Sequence, residues 1–106
     1  MRIEDFVKYL NENYKNHVWE SNNKFDSVFT VKNCIRITIE DNYKNLIENE
    51  NLPEFVILIN NKHKIEIYYN SFLREHVRSL YIKITRHLTE LEDNTTQKLI
   101  DEFLKD

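Results

Sequence analysis

The fold is decided by residues 54–69, which read EFVILINNKHKIEIYY. Residues 54–59 are apolar at both odd and even positions, a pattern that predicts an interior strand covered on both faces. Residues 63–69 instead alternate between apolar and polar side chains, so they predict a half-buried partner strand. The polar run 60–62 between the two predicts a hairpin turn that contains no glycine.

The N-terminal half predicts a second hairpin and a helix. Residues 24–31 and 34–40 carry apolar side chains at alternate positions, and Lys32–Asn33 between them predicts the turn. Residues 3–15 place apolar side chains three and four positions apart, which is typical of an amphipathic helix. The polar stretch 21–23 predicts a loop.

The remaining segments predict three more helices. A short one includes residues 43–47 and ends before Pro53, since the residue before a proline avoids helical geometry. A long one over residues 71–91 carries a continuous leucine-rich stripe, with Ser71 as its cap. Asn94 and a glutamine three residues later resemble a capping box, which predicts a separate terminal helix that buries Leu99, Ile100, Phe103 and Leu104.

These elements predict one α+β domain that spans residues 1–106. We expect a mainly antiparallel sheet of four strands in two hairpins. Helices should cover one face of this sheet: an N-terminal helix, a short middle helix and two C-terminal helices. A length of 106 residues suits a single domain.

The composition excludes several classes of site. The chain has no Gly and no Ala but fourteen Asn and twelve Ile, which indicates an AT-rich bacterial or viral genome. Without glycine, neither a phosphate-binding loop nor a dinucleotide-binding turn can form, so we expect no nucleotide cofactor. Turns that need a positive φ must fall on Asn or Asp.

The chain also lacks the usual signals for export, membrane insertion and metal binding. Met1-Arg2 leads directly into acidic residues, so no signal peptide is expected, and the longest apolar run, 55–59, is far shorter than the roughly 20 residues of a membrane span. The lone Cys34 is expected to be a small buried side chain in a reducing compartment. We therefore predict a cytoplasmic protein with no metal site and no membrane contact.

Charge is distributed unevenly, and it indicates a binding surface. Residues 54–86 hold six basic and three acidic side chains, whereas residues 87–106 hold two basic and six acidic ones. Within the long predicted helix, four residues at spacings of four share one face away from the leucines. An apolar side chain surrounded by arginines is typical of protein interfaces. The predicted partner-binding residues are Arg74, Arg78, Ile82 and Arg86.

Other interpretations of the same residues stay open. The arginine row can equally be a solvated helix face, or it can contact phosphates together with Lys62, His63 and Lys64 at the predicted hairpin tip. A weaker alternative is a metal-independent ribonuclease site, which needs a base, an acid and cations around one phosphate. Its candidate residues are Lys62, His63, Lys64, Tyr68, His76 and Arg78.

Aromatic and acidic side chains carry weaker signals. Trp19, Tyr9, Tyr68 and Tyr81 suit the rim of a core better than a stacking platform for bases. The acidic segment 90–106 can mimic a row of phosphates, although a solvated helix face is the simpler interpretation.

With no catalytic motif, the sequence favours a non-enzymatic protein-binding factor. We expect an inhibitor or immunity-type protein of a phage, mobile element or bacterium that covers a partner's functional surface. The alternatives are a nucleic-acid-binding regulator that uses residues 54–86 and, less favoured, the ribonuclease. A homodimer formed through a strand edge or the leucine-rich helix remains possible.

Overall fold

The structure, a computed structural model, describes residues 1–22 and 26–105. In chain order, the elements are helix α1 (Ile3–Asn13), a 3-10 turn (Tyr14–Asn16), strands β1 (Trp19–Asn22), β2 (Ser27–Lys32) and β3 (Ile35–Asp41), helix α2 (Tyr43–Leu46), strands β4 (Phe55–Ile59) and β5 (His63–Ile67), and helix α3 (Arg74–Phe103). The strands form one antiparallel sheet in the order β1-β2-β3-β4-β5. The α+β class and the antiparallel sheet are thus confirmed.

The sheet has five strands rather than the predicted four. The extra strand, β1, pairs with β2 so that Trp19 lies opposite Thr30. Its Ser and Asn are typical of turns, which is why we predicted a loop at 21–23. Backbone pairing with β2 and burial of the Trp19 side chain outweigh that local preference. Residue 23 of the predicted loop and residues 24 and 25 of the predicted strand over 24–31 lie outside the described residues.

The two predicted C-terminal helices are one continuous helix, α3, of 30 residues. The Thr95 hydroxyl donates to the Leu91 carbonyl at 2.9 Å, and the Gln97 amide donates to the Asp101 carboxylate at 3.0 Å. Gln97 therefore bonds forward along the helix instead of capping a new one at Asn94. An internal Asn costs less than about 1 kcal/mol relative to Ala, which is too little to end a helix.

Two hairpin turns use positive φ angles without glycine. Asn60 and Asn61, at φ 55° and 59°, form the β4–β5 turn where the sequence predicts it. The β2–β3 turn falls on Asn33 and Cys34, at φ 54° and 62°, one residue later than predicted. Because Cys34 occupies this turn, its side chain is exposed, and the prediction of a buried cysteine is wrong.

Helices α1 and α3 pack on one face of the sheet. The strand register aligns Val28, Ile39 and Ile57 on that face. The Asn11 amide of α1 donates to the His76 carbonyl of α3 at 3.0 Å and so ties the two helices together. The buried apolar side chains of this core are Val7, Leu10, Trp19, Val28, Ile39, Phe55, Ile57, Ile67, Val77, Leu80 and Ile84.

The opposite face of the sheet carries a mixed row of side chains. Phe29, Thr38 and Leu58 lie side by side in adjacent strands, and the Arg36 guanidinium lies 3.9 Å from the centre of the Phe29 ring. Val56 on this face is only 7% exposed because its strand neighbours cover it. The predicted burial of β4 on both faces is therefore confirmed at Val56.

Helix α3 extends beyond the sheet. Its 30 residues span about 45 Å at 1.5 Å per residue. The radius of gyration is 16.1 Å, whereas a compact domain of this length has about 13 Å. Every residue from 89 to 105 is exposed. The first half of α3 is thus part of the core, and the second half projects into solvent.

Candidate protein-binding surface on helix α3

Three contacts define the path of α3 across the sheet. Arg74 at its start binds Glu54, the residue before β4. Tyr81 lies about two turns further on, with its ring 6.0 Å from that of Phe55. The His87 ring contacts Tyr14 edge-on at 6.0 Å, near the start of β1. The helix therefore runs from the β4–β5 side of the sheet to the β1 side and then past it.

Arg74, the first of the predicted contact residues, is partly buried and paired within the molecule. Its guanidinium donates two hydrogen bonds to the carboxylate of Glu54, which is only 2% exposed. The guanidinium also donates a hydrogen bond to the Glu75 carboxylate at 2.7 Å, and its central carbon lies 4.5 Å from the centre of the Tyr69 ring. These bonds raise the pKa of Arg74, so it remains charged opposite Glu54. The hydrogen bonds of the Arg74 guanidinium are therefore made within the chain, to Glu54 and Glu75.

The other three predicted residues are exposed together. Arg78, Ile82 and Arg86 follow each other at four-residue spacing along α3, and Ile82 is 37% exposed. Arg78 and Ile82 also line a cleft of about 220 Å³ between α3 and the ends of β3 and β4. Tyr43 and Asp41 form the far wall of this cleft. An apolar side chain beside a cleft and between two cations can anchor a partner.

The Asp41 carboxylate in this cleft lies in an acidic environment. Burial raises its pKa above the usual value, and the charges of Asp26 and Glu54 raise it further. The backbone N–H of Tyr43, which donates to Asp41 at 2.9 Å, and the nearby Arg78 charge act in the opposite direction. Arg78 thus offsets part of the negative charge at Asp41, while Lys44 pairs with Asp26 and Arg74 with Glu54.

The Tyr81 hydroxyl should lose its proton at a higher pH than an ordinary tyrosine does. Burial, with the Asp41 and Asp26 charges, raises its pKa to about 12. The folded protein therefore keeps a proton that the unfolded chain releases near pH 10, and the free energy of unfolding should fall as pH rises from 10 towards 12. We expect the ultraviolet absorbance of tyrosinate to show a step near pH 12 that Tyr81→Phe removes. If the variant retained this step, the assignment to Tyr81 would be wrong.

The exposed row continues along the whole of α3. Eight exposed residues at spacings of three or four share one side of the helix, which we call the outer stripe. The core residues Val77, Leu80 and Ile84 lie on the opposite side. The members of the outer stripe are Arg78, Ile82, Arg86, Thr89, Asp93, Thr96, Ile100 and Leu104.

The second half of the outer stripe was missed at the sequence level. Ile100 is 46% exposed and Leu104 is 70% exposed, next to Phe103 at 87%. The prediction that these side chains are buried in a separate terminal helix is wrong, because they lie at the projecting end of α3. The available signal was the spacing itself, since the steps from Ile82 continue to Ile100 without a break.

The basic hairpin tip lies away from α3. Lys62, His63 and Lys64 are exposed at the β4–β5 turn. Glu54, which binds Arg74, lies at the opposite end of β4. Strands of five residues separate the two ends by about 17 Å. The predicted nucleic-acid contacts are thus divided between two ends of the sheet.

The candidate ribonuclease residues are similarly spread. His63 begins β5, whereas Tyr68 follows its last residue and donates a hydrogen bond to Glu66, which raises the Tyr68 pKa. His76 lies on α3, two residues after Arg74. The fold therefore places His63 and His76 near opposite ends of β5.

The aromatic residues divide between the core and its rim. Trp19 is 4% exposed, and its indole N–H donates to the Tyr14 carbonyl at 2.9 Å. Tyr9 is 38% exposed, with its hydroxyl 3.4 Å from His17 Nε2, and Tyr68 is 41% exposed. These positions suit a rim better than a continuous platform of rings.

The fold and this surface define the chain only as an α+β domain with a long, partly unsupported helix. Comparisons with protein-family models, with curated proteins and with solved structures find no match to it. Across residues 1–22 and 26–105, no group of three His, Cys, Asp or Glu is arranged to hold a metal ion. In the same ranges, no helix is long and apolar enough to cross a membrane.

Proposed function

We propose that the protein is a non-enzymatic binding factor that covers the functional surface of a partner protein, as inhibitors and immunity-type proteins do. The observation that carries this proposal is the outer stripe, in which the exposed Ile82 lies between two exposed arginines on the supported half of α3, and Ile100 and Leu104 are exposed at its projecting end. The proposal extends to a phage, mobile-element or bacterial origin, which an amino-acid composition rich in Asn and Ile and without Gly or Ala favours. It also places the protein in the cytoplasm, where an exposed thiol such as Cys34 stays reduced.

The projecting half of α3 supports a role in binding. An isolated helix of about 15 residues is only marginally stable in water. Residues 89–103 of α3 have that length, and they expose Leu99, Ile100 and Phe103. Burial of these side chains against a partner would favour both the helix and the complex.

The first half of the outer stripe indicates the chemistry of the partner. Arg78 and Arg86 flank Ile82, and arginine forms paired hydrogen bonds with carboxylates. A complementary surface would offer an apolar pocket for Ile82 between acidic side chains. Phosphate groups provide the same charge without the pocket, so Ile82 favours a protein.

The test replaces stripe residues after the partner has been captured from the native host and identified. Ile82→Glu and Arg78→Glu should each weaken its affinity by about thirtyfold or more, as loss of an interface anchor does. Because both side chains are exposed, the melting temperature of the monomer, measured at low protein concentration, should change by no more than about 2 °C. Isothermal titration calorimetry and thermal unfolding measure the two effects.

The controls keep the same chemistry outside the stripe. Leu91→Glu and Lys98→Glu change exposed residues on other sides of α3, and both should bind like the wild type. Wild-type affinity in Ile82→Glu and Arg78→Glu would remove this surface from the account. Binding of DNA or RNA that weakens steeply with salt would instead support the nucleic-acid alternative.

A further inference from the structure

The positions of the outer stripe are arranged symmetrically along the sequence, and this symmetry suits pairing with a second copy of the chain. The centre of this symmetry is position 91, which lies outside the stripe. Ile82 and Ile100 lie nine residues before and after it, and Arg78 and Leu104 lie thirteen residues before and after it. If two α3 helices pair in antiparallel directions, each stripe position of one copy therefore lies opposite a stripe position of the other. Ile82 would meet the Ile100 of a second copy, and Arg78 would meet its Leu104.

Charge selects the antiparallel direction. On this side of α3, the first half exposes Arg78 and Arg86, with Glu75 paired to Arg74 at the start of the helix, and the second half exposes Asp93. In an antiparallel pair, Arg86 of one copy lies about one helical turn along the axis from Asp93 of the other, within reach of an arginine side chain, and the contact occurs twice. A parallel pair would instead place Arg86 beside Arg86 and Asp93 beside Asp93.

The residues near the middle of the outer stripe allow two α3 helices to approach each other closely. The Thr89 hydroxyl donates to the Thr85 carbonyl at 3.0 Å within its own helix, which frees its methyl group for packing. Thr89 and Thr96 are small side chains near the middle of the stripe, where two helices would be closest. The core residues Val77, Leu80 and Ile84 face the other side, so the two sheets would lie on the outside of the pair.

We propose that, in the free protein, a second copy of this chain occupies the outer stripe, with the two α3 helices antiparallel. The inference rests on the proposed role of the stripe as a contact surface, and it names the occupant in the absence of another partner. A target protein would then have to displace the second copy. Self-pairing would thus regulate access to the site and shield Ile82, Ile100 and Leu104 from water.

Sedimentation equilibrium over a range of protein concentrations tests this. The wild type should shift from one to two times the chain mass of 13.0 kDa. Ile82→Glu, Arg86→Asp and Asp93→Arg should each weaken self-association by about thirtyfold or more. An equimolar mixture of Arg86→Asp with Asp93→Arg should restore the dimer, because each unlike pair then faces its complement. Lys98→Asp, off the stripe, should associate like the wild type, and circular dichroism should show every variant folded.

The outcomes separate this inference from the proposed function. A wild type that stays monomeric, or a mixture that fails to restore association, overturns the antiparallel pair. If the monomer nevertheless loses its captured partner on Ile82→Glu, the proposed function stands without the dimer. Dimers unaffected by Ile82→Glu and Arg86→Asp place self-association elsewhere and also overturn the inference.

Discussion

Arg74→Met is expected to lower the melting temperature by about 12 °C or more, because it leaves a buried carboxylate without its partner. Glu54 is only 2% exposed, and two hydrogen bonds from Arg74 satisfy its oxygens. The backbone of Glu54 is fixed as well, since its N–H donates to the Ile67 carbonyl at 2.8 Å and its carbonyl accepts from Asn42 at 2.8 Å. The carboxylate therefore cannot turn to solvent without disturbing the start of β4.

Thermal unfolding followed by circular dichroism measures this effect. Arg2→Met is the matched control, because it makes the same replacement at an exposed position and should leave the transition unchanged within about 2 °C. The double variant Glu54→Leu with Arg74→Met should recover much of the loss, since two apolar groups of similar size can replace a buried ion pair. A single variant as stable as the control would show that the pair contributes little.

Trp19→Ala is expected to reduce the free energy of unfolding by about 3–5 kcal/mol. The side chain is 4% exposed and belongs to the core together with Val7 and Leu10 of α1. Its indole N–H also bonds to the Tyr14 carbonyl at 2.9 Å, which attaches the 3-10 turn to β1. The substitution removes both the packing and this bond.

Urea denaturation measures the loss, and two further variants divide it. Trp19→Phe keeps a ring but loses the hydrogen bond, so it should cost less than Trp19→Ala. Val18→Ala changes the adjacent residue, which is 82% exposed, and should have an effect within about 0.5 kcal/mol. A Trp19→Ala protein as stable as Val18→Ala would contradict the placement of β1 over the core.

Local patterns predicted the elements that bury a regular face. The alternation of residues 34–40 and the apolar run 54–59 correspond to β3 and β4 because each strand packs one side chain in two against α1 and α3. Strand β1 could not be predicted in this way. It has four residues, and Ser21 and Asn22 have no apolar alternation, so pairing with β2 decides its structure.

The candidate surface was predicted only where helix periodicity defines it. Four-residue spacing placed Arg78, Ile82 and Arg86 on one exposed side, as the structure shows. The same spacing could not reveal that Arg74 binds Glu54, because the two are 20 residues apart and meet only when α3 packs against the sheet. The end of that packing near residue 88 likewise depends on the width of the sheet.

Hydrogen exchange of the backbone amides shows whether a partner binds along α3. It is measured on the free protein at low concentration and on its complex with the captured partner. In the free monomer, the amides of residues 89–103 should exchange quickly, because that half of α3 lies outside the core. In the complex, exchange should slow along residues 78–104 and stay unchanged in β2, β3 and β4. Unchanged exchange in α3, with slowing at Phe29, Thr38 and Leu58 instead, would place the partner on the opposite face of the sheet and contradict the account.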